Sequence, residues 1–167
     1  MRKSITISLL VLAVLSFGFF TINAQSAEAP AAPQIEWMTI EEALAANEET
    51  PKKMFIDVYT DWCHWCKVMD DKTFSEAEVI DYLNDNFYPV KFNAEQKEPI
   101  TFKGQTYEYT PAGRRGIHLL AYALLNKQAS YPSFVVLDEE LNGITILKGF
   151  QDKAKFLGNL KRATSAK

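Results

Sequence analysis

Six consecutive residues, Met54-Phe55-Ile56-Asp57-Val58-Tyr59, are apolar on both faces except at Asp57, and the chain then reaches Cys63-His64-Trp65-Cys66 within four positions. A short β-branched and aromatic run of this kind predicts a central strand over residues 54–59. Val68 and Met69 continue an apolar face after the cysteines, which predicts a helix opening at the pair with Asp61 as its cap. The first cysteine then lies at a helix N-terminus, where unpaired amides and the helix dipole favour a thiolate, and the second lies one turn further in. Spacing of i,i+3 keeps both sulfurs on one side of that turn, so Cys66 can attack a mixed disulfide formed on Cys63. No other cysteine exists in the 167 residues. A staple closing so small a loop constrains an unfolded chain little, so the pair reads as reactive and not structural.

The flanking sequence alternates helical and strand signals. Thr39 with Glu42 forms a capping box ahead of Ile40, Ala43 and Leu44, predicting a helix over 40–47. Ser75 with Glu78 forms a second box ahead of Val79, Tyr82, Leu83 and Phe87, and residues 88–93 read as the next strand. Residues 94–111 carry little period and read as an insertion, with a strand pair possible at 100–103 and 105–109. Thr110 and Pro111 suit the cap and first position of a helix whose inward residues Ile117, Leu120, Ala121 and Leu124 run to about 126. After Tyr131-Pro132 come a strand at 133–138, an Asn142-Gly143 turn, a returning strand at 144–148 and a helix from 152 to about 163. This order predicts an α/β fold with an open mixed sheet flanked by helices, the first two core strands parallel and the last two a hairpin.

The N-terminus follows a different rule. Arg2 and Lys3 precede an almost unbroken apolar run over 5–22, and Ala24, Ser26 and Ala27 follow. That is the layout of a signal peptide over 1–24, with an Ala/Pro-rich lead-in over 25–36 and one domain over 37–167. An uncleaved anchor is the other reading, because the run approaches the roughly 18 residues at which spanning becomes feasible. With cleavage the protein is expected in the periplasm or secreted, without stable membrane association. The formal charge of −3 falls two units lower once Arg2 and Lys3 leave, so nucleic acid is not an expected partner.

Three features together resemble the thioredoxin-like superfamily, and within it the exported bacterial thiol:disulfide interchange branch. They are Asp57 to Trp62 leading directly into Cys63, the Cys63 and Cys66 pair itself, and Tyr131-Pro132-Ser133 ahead of a strand. The likeness spans about 37–163. It implies a thioredoxin-like fold and a thiol-disulfide oxidoreductase that needs no cofactor and no metal. Its partners would be protein thiols and disulfides, with a membrane or periplasmic redox donor. The resemblance further implies a cis Pro132 facing the cysteines and an Asp57 buried behind Cys66 that relays its proton. A strand-end acid satisfied by Lys52, Lys53 or solvent is the plainer alternative for Asp57.

The chain departs from the family between the cysteines. His64-Trp65 stands where reductases of the family carry Gly-Pro and strong oxidants Pro-His, so redox direction is open, with reduction favoured. A protonated His64 would stabilise the Cys63 thiolate, and a solvent-facing one would not. Trp62, Trp65, His64, Tyr131 and Pro132 are the candidate substrate-contacting residues, the two tryptophans as an apolar rim. A copper carrier using Cys63, His64 and Cys66, with His118 as a fourth ligand, is the competing class, and a thioredoxin-fold binding module is a third. Haem attachment is excluded because Lys67 stands where Cys-x-x-Cys-His needs histidine.

Overall fold

The structure is a computed structural model that describes residues 32–165. The expected signal segment and the first part of the lead-in lie outside the described residues. Two apolar faces of one sheet organise the domain. Strand β1 (Met54–Tyr59) is central, pairing in parallel with β2 (Tyr88–Asn93) and antiparallel with β7 (Ser133–Leu137), which pairs antiparallel with the edge strand β8 (Gly143–Lys148). Because side chains alternate along β1, Met54, Ile56 and Val58 enter one core and Phe55 the other.

The Phe55 face is covered by α2 (His64–Lys72), α3 (Ala77–Asn86) and α5 (Lys153–Ser165), which contribute Met69, Val79, Ile80, Leu83, Phe156 and Leu160. Phe55 stacks on Phe134 at 5.7 Å and meets Phe74 and Phe156 edge-on at 6.0 and 5.6 Å. A fully buried side chain of this size contributes about 1.5–3 kcal/mol from burial, and each aromatic pair adds about 0.5–1.5 kcal/mol. This cluster therefore fixes the sheet and the helix that carries the cysteines as one rigid unit. On the opposite face, α1 (Ile40–Glu49) packs Ile40 and Ala43. The α1 capping box is complete: Glu42 N donates to Thr39 Oγ1 at 3.2 Å and Thr39 N donates to Glu42 Oε2 at 2.8 Å.

The central mixed sheet and its parallel and antiparallel pairings are as the sequence predicts. Three local expectations are corrected. The helix expected from Thr110 is instead a hairpin, β5 (Tyr109–Ala112) with β6 (Arg115–His118), and the helix α4 covers only Leu119–Leu124. Gly113 opens the two-residue turn at φ 61°, a value that favours glycine. Gly116 lies against the Tyr109 ring, which a Cβ there would overlap. These two glycines let the strands close, and His118 then caps α4 by accepting from Leu120 N through Nδ1 at 3.2 Å. Second, Ser75 does not cap α3. Its hydroxyl donates back to Asp71 O at 2.8 Å, and Glu76 takes the cap position without a side-chain bond. Third, Asp61 does not cap α2, because Cys63 does. Ahead of β5, the short pair β3 (Ile100–Phe102) and β4 (Gln105–Tyr107) turns through Lys103 and Gly104 at φ 51° and 76°.

Candidate active site

Cys63 is the N-cap of α2, and its Sγ accepts from Cys66 N at 3.1 Å. The helix begins here because Cys63 N donates to Thr60 O at 3.0 Å, which turns the chain out of β1. Cys63 and Cys66 are joined as a disulfide, with Cα atoms 5.3 Å apart. Exposure does not separate the two sulfurs, since Cys63 is 5% and Cys66 3% exposed. Position in the helix does, because only Cys63 is the N-cap, with the Cys66 amide aimed at its sulfur.

Asp57 shares a face of β1 with Phe55, the face that α2 covers, and is 2% exposed. Its partner is neither Lys52 nor Lys53. Lys52 donates to Asn84 O and Lys53 pairs with Glu139. Lys91, the residue opposite Asp57 in the parallel register of β2, reaches Asp57 Oδ2 at 2.7 Å. Its Nζ also contacts Asp70, four residues after Cys66 on α2, and lies over the rings of Trp37, Tyr59 and Phe74 at 4.8, 5.3 and 5.5 Å. Burial pushes the Asp57 carboxyl up to about 6. Lys91 offsets this only in part, and the charge of Asp70 adds to the rise. Burial alone would lower the Lys91 ammonium, but the two carboxylates outweigh it and hold it above its ordinary value. Asp57 Oδ1 has no hydrogen-bond partner among the described residues, which leaves a lone pair open for a proton.

The surface around the pair is apolar. Trp62 and Trp65 are 49% and 55% exposed. The Tyr131–Pro132 peptide is cis, and Pro132 O accepts from Gly149 N at 2.9 Å. A cleft of about 290 Å³ is lined by Trp65, Tyr131, Pro132, Gly149 and Phe150. A second, of about 270 Å³, lies between Trp62, Tyr131 and hairpin β5–β6. Trp62 and Tyr131, whose rings lie 5.9 Å apart, line one of these clefts, and Trp65, Tyr131 and Pro132 line the other. His64 is exposed, its ring 5.7 Å from that of Trp65. A larger cleft of about 590 Å³ between α4 and β8 touches neither cysteine.

His118 is not a free ligand. Its Nδ1 is spent on Leu120 N and its Nε2 lies 3.1 Å from Glu98 O, which together define the neutral Nε2–H tautomer. Burial lowers its pKa and keeps it neutral, against the small upward pull of the Glu98 carbonyl. Read from sequence as an ordinary helix residue, His118 is instead the end of β6 and the cap of α4, and with both nitrogens committed there it does not serve the copper alternative as a fourth ligand. No cluster of three or more metal-ligating side chains occurs among the described residues.

A family model described as Thioredox_DsbH, protein of unknown function, DUF255, matches residues 24–147. The chain belongs to this family. Among solved structures, a DsbH oxidoreductase aligns with a TM-score of 0.56 at 20% identity, over 87% of this chain and 94% of its own. A putative disulphide-isomerase from Bacteroides thetaiotaomicron aligns at 0.59 with 22% identity over 81% and 98%. A thioredoxin from Thermus thermophilus aligns at 0.58 with 20% identity over 78% and 88%. Likeness at these identities establishes the thioredoxin-like fold. Spermatogenesis-associated protein 20 of Rattus norvegicus is 30% identical over 60 residues, which is 36% of this chain and 8% of that protein. Uncharacterized protein B0495.5 of Caenorhabditis elegans is 28% identical over 76 residues, 46% and 10% respectively. The chain spans a tenth or less of the length of these curated relatives.

Sequence reasoning named the cysteines, Asp57 and the aromatic rim as candidates but did not name Lys91 and Asp70, which the structure places with Asp57 in one charge cluster. Both had signals. Asp57 and Lys91 each occupy the fourth position of a six-residue strand, and parallel pairing in register makes them neighbours. Asp70 is one helical turn beyond Cys66.

Proposed function

We propose that the protein is a thiol-disulfide oxidoreductase of the cell envelope that reduces protein disulfides through Cys63 and Cys66. The observation that carries this reading is Cys63 at the N-cap of α2 with the Cys66 amide aimed at its sulfur, the arrangement that favours a thiolate there. In the reduced protein the Cys63 thiolate attacks one sulfur of a substrate disulfide. A Cys63–substrate bond forms and the substrate's other sulfur leaves as thiolate. Cys66 then loses its proton, attacks Cys63 Sγ, and releases the second substrate thiol. The Cys63–Cys66 disulfide remains, two electrons having passed to the substrate. Asp57, with its open Oδ1, is the group that takes the Cys66 proton, and Lys91 keeps Asp57 oriented.

Turnover needs a dithiol donor that returns two electrons to the pair, and a membrane or periplasmic redox protein fits that role. Cleavage of the N-terminal segment after Ala24 would deliver the domain outside the cytoplasm, so mass analysis of exported protein is expected to find Gln25 as the first residue. No helix among the described residues is long and apolar enough to cross a membrane.

Equilibration of the Cys63–Cys66 pair with a thiol buffer of known potential tests the direction. A value nearer the roughly −270 mV of thioredoxin than the roughly −120 mV of a strong oxidant is expected. A value near −120 mV would overturn the reductase assignment. Tight copper binding without any thiol exchange would overturn the enzyme reading itself.

A further inference from the structure

The hairpin β5–β6 is placed where it bears on substrate choice. It walls the cleft beside Trp62, opposite Tyr131, and its Ala112, Gly116 and Ile117 supply apolar surface there. Its residues 109–118 include Arg114 and Arg115 and no acid, in a chain whose formal charge is −3. The Arg115 guanidinium lies over the Trp62 indole at 4.2 Å, and Trp62 directly precedes Cys63. Neither arginine makes an ion pair or a side-chain hydrogen bond among the described residues. A guanidinium carries five donors, so stacking anchors Arg115 and leaves its hydrogen-bonding capacity unused. Glu95, the acid in the same cleft, accepts from Trp62 Nε1 at 3.0 Å and so holds the indole as the platform on which Arg115 rests.

Resting on the redox reading of Cys63 and Cys66, we propose that hairpin β5–β6 selects substrates. It takes an extended polypeptide segment with an apolar residue beside its cystine and an acidic residue next to that, which pairs with Arg115 and Arg114. A polypeptide fits better than a small disulfide. The two clefts, of about 270 and 290 Å³, share Tyr131, and the larger of them also takes in the cis Pro132, so together they offer a track longer than one residue. The apolar floor supplies contact area, and unpaired Arg115 in the cleft, with Arg114 exposed beside it in the hairpin turn, supplies sign.

The test uses the full exported chain, reduced, with two synthetic peptide disulfides that differ only in carrying Glu or Lys two residues from the cystine. A small neutral disulfide serves as a third substrate. The acidic peptide is expected to react about five- to tenfold faster than the basic one, the scale of two exposed ion pairs. That ratio is expected to fall towards one as salt is raised. Arg114→Glu with Arg115→Glu is expected to invert it. Because the readout is a ratio of two substrates on one protein, a general loss of activity in the variant does not mimic inversion. An unchanged ratio in the double variant, or a parent that prefers the small neutral disulfide to the acidic peptide, would overturn the hairpin's role while leaving the redox pair intact. Absence of exchange with the neutral disulfide would overturn the redox reading, and the hairpin's role with it.

Discussion

Cys66→Ser is expected to accumulate polypeptides disulfide-linked to Cys63, and Cys63→Ser to trap almost none. The asymmetry follows from place in the helix and not from exposure, since both sulfurs are buried in the disulfide form. Cys63 receives the Cys66 amide and the positive end of α2, whereas Cys66 lies inside the first turn, on the side that faces the core with Met69. The Cys63 thiol should therefore titrate below the roughly 8.5 of a free cysteine. Alkylation of the reduced protein at limiting reagent is expected to label Cys63 first, with a rate that rises through that lowered pKa. With the resolving thiol removed, the mixed disulfide has no intramolecular exit and persists long enough for non-reducing gels and mass spectrometry to identify it. Preferential labelling of Cys66, together with trapping by Cys63→Ser, would reverse the two roles.

How far the site could be read in advance depended on whether the deciding contact was local. β1 was legible with its ends because a run apolar on both faces admits few alternatives, β2 matches the strand read over 88–93, and the start of α1 was legible because its capping box is complete within four residues. The failures have different causes. Ser75 and Asp61 both look like caps, yet Ser75 back-bonds to Asp71 O four residues earlier, a local competitor to capping, and Asp61 accepts from Asn93 Nδ2, 32 positions away. The stretch from Thr110 satisfied a helix rule at its first two positions. Two glycines within the next six residues carried the contrary signal, and Gly116 against Tyr109 makes that signal tertiary. In the site, the cysteines were legible because their chemistry is set within one turn. Lys91 lay 34 positions from Asp57 and became its partner only through strand register.

Asp57→Asn is expected to stabilise the protein at neutral pH while slowing the resolution of mixed disulfides. Asp57 is 2% exposed and its carboxyl is pushed up to about 6 by burial, which Lys91 offsets only in part. The folded protein therefore holds this proton more tightly than the unfolded chain, whose carboxyl titrates near the ordinary value of 3.8. Stability consequently falls as pH rises from about 4 to about 6 and stays lower above that window. Asparagine removes the charge and with it the loss. Denaturant unfolding should show little difference between variant and parent near pH 4 and a gain of about 2 kcal/mol near pH 7. That gain is smaller than the full cost of holding the charge because Lys91 loses one of its two carboxylate partners. The same substitution keeps an oxygen for Lys91 but cannot take a proton from Cys66. The parent's resolution rate is expected to rise through an inflection near pH 6, and the variant to lack it. Asp70→Asn supplies the control that separates a proton acceptor from a structural acid. Without the Asp70 charge, Asp57 ionises more readily and has Lys91 to itself, so the inflection should move to lower pH without being lost. Equal resolution rates for parent and Asp57→Asn from about pH 5 to about pH 9 would confine Asp57 to structure, and an unmoved inflection in Asp70→Asn would detach Asp70 from it.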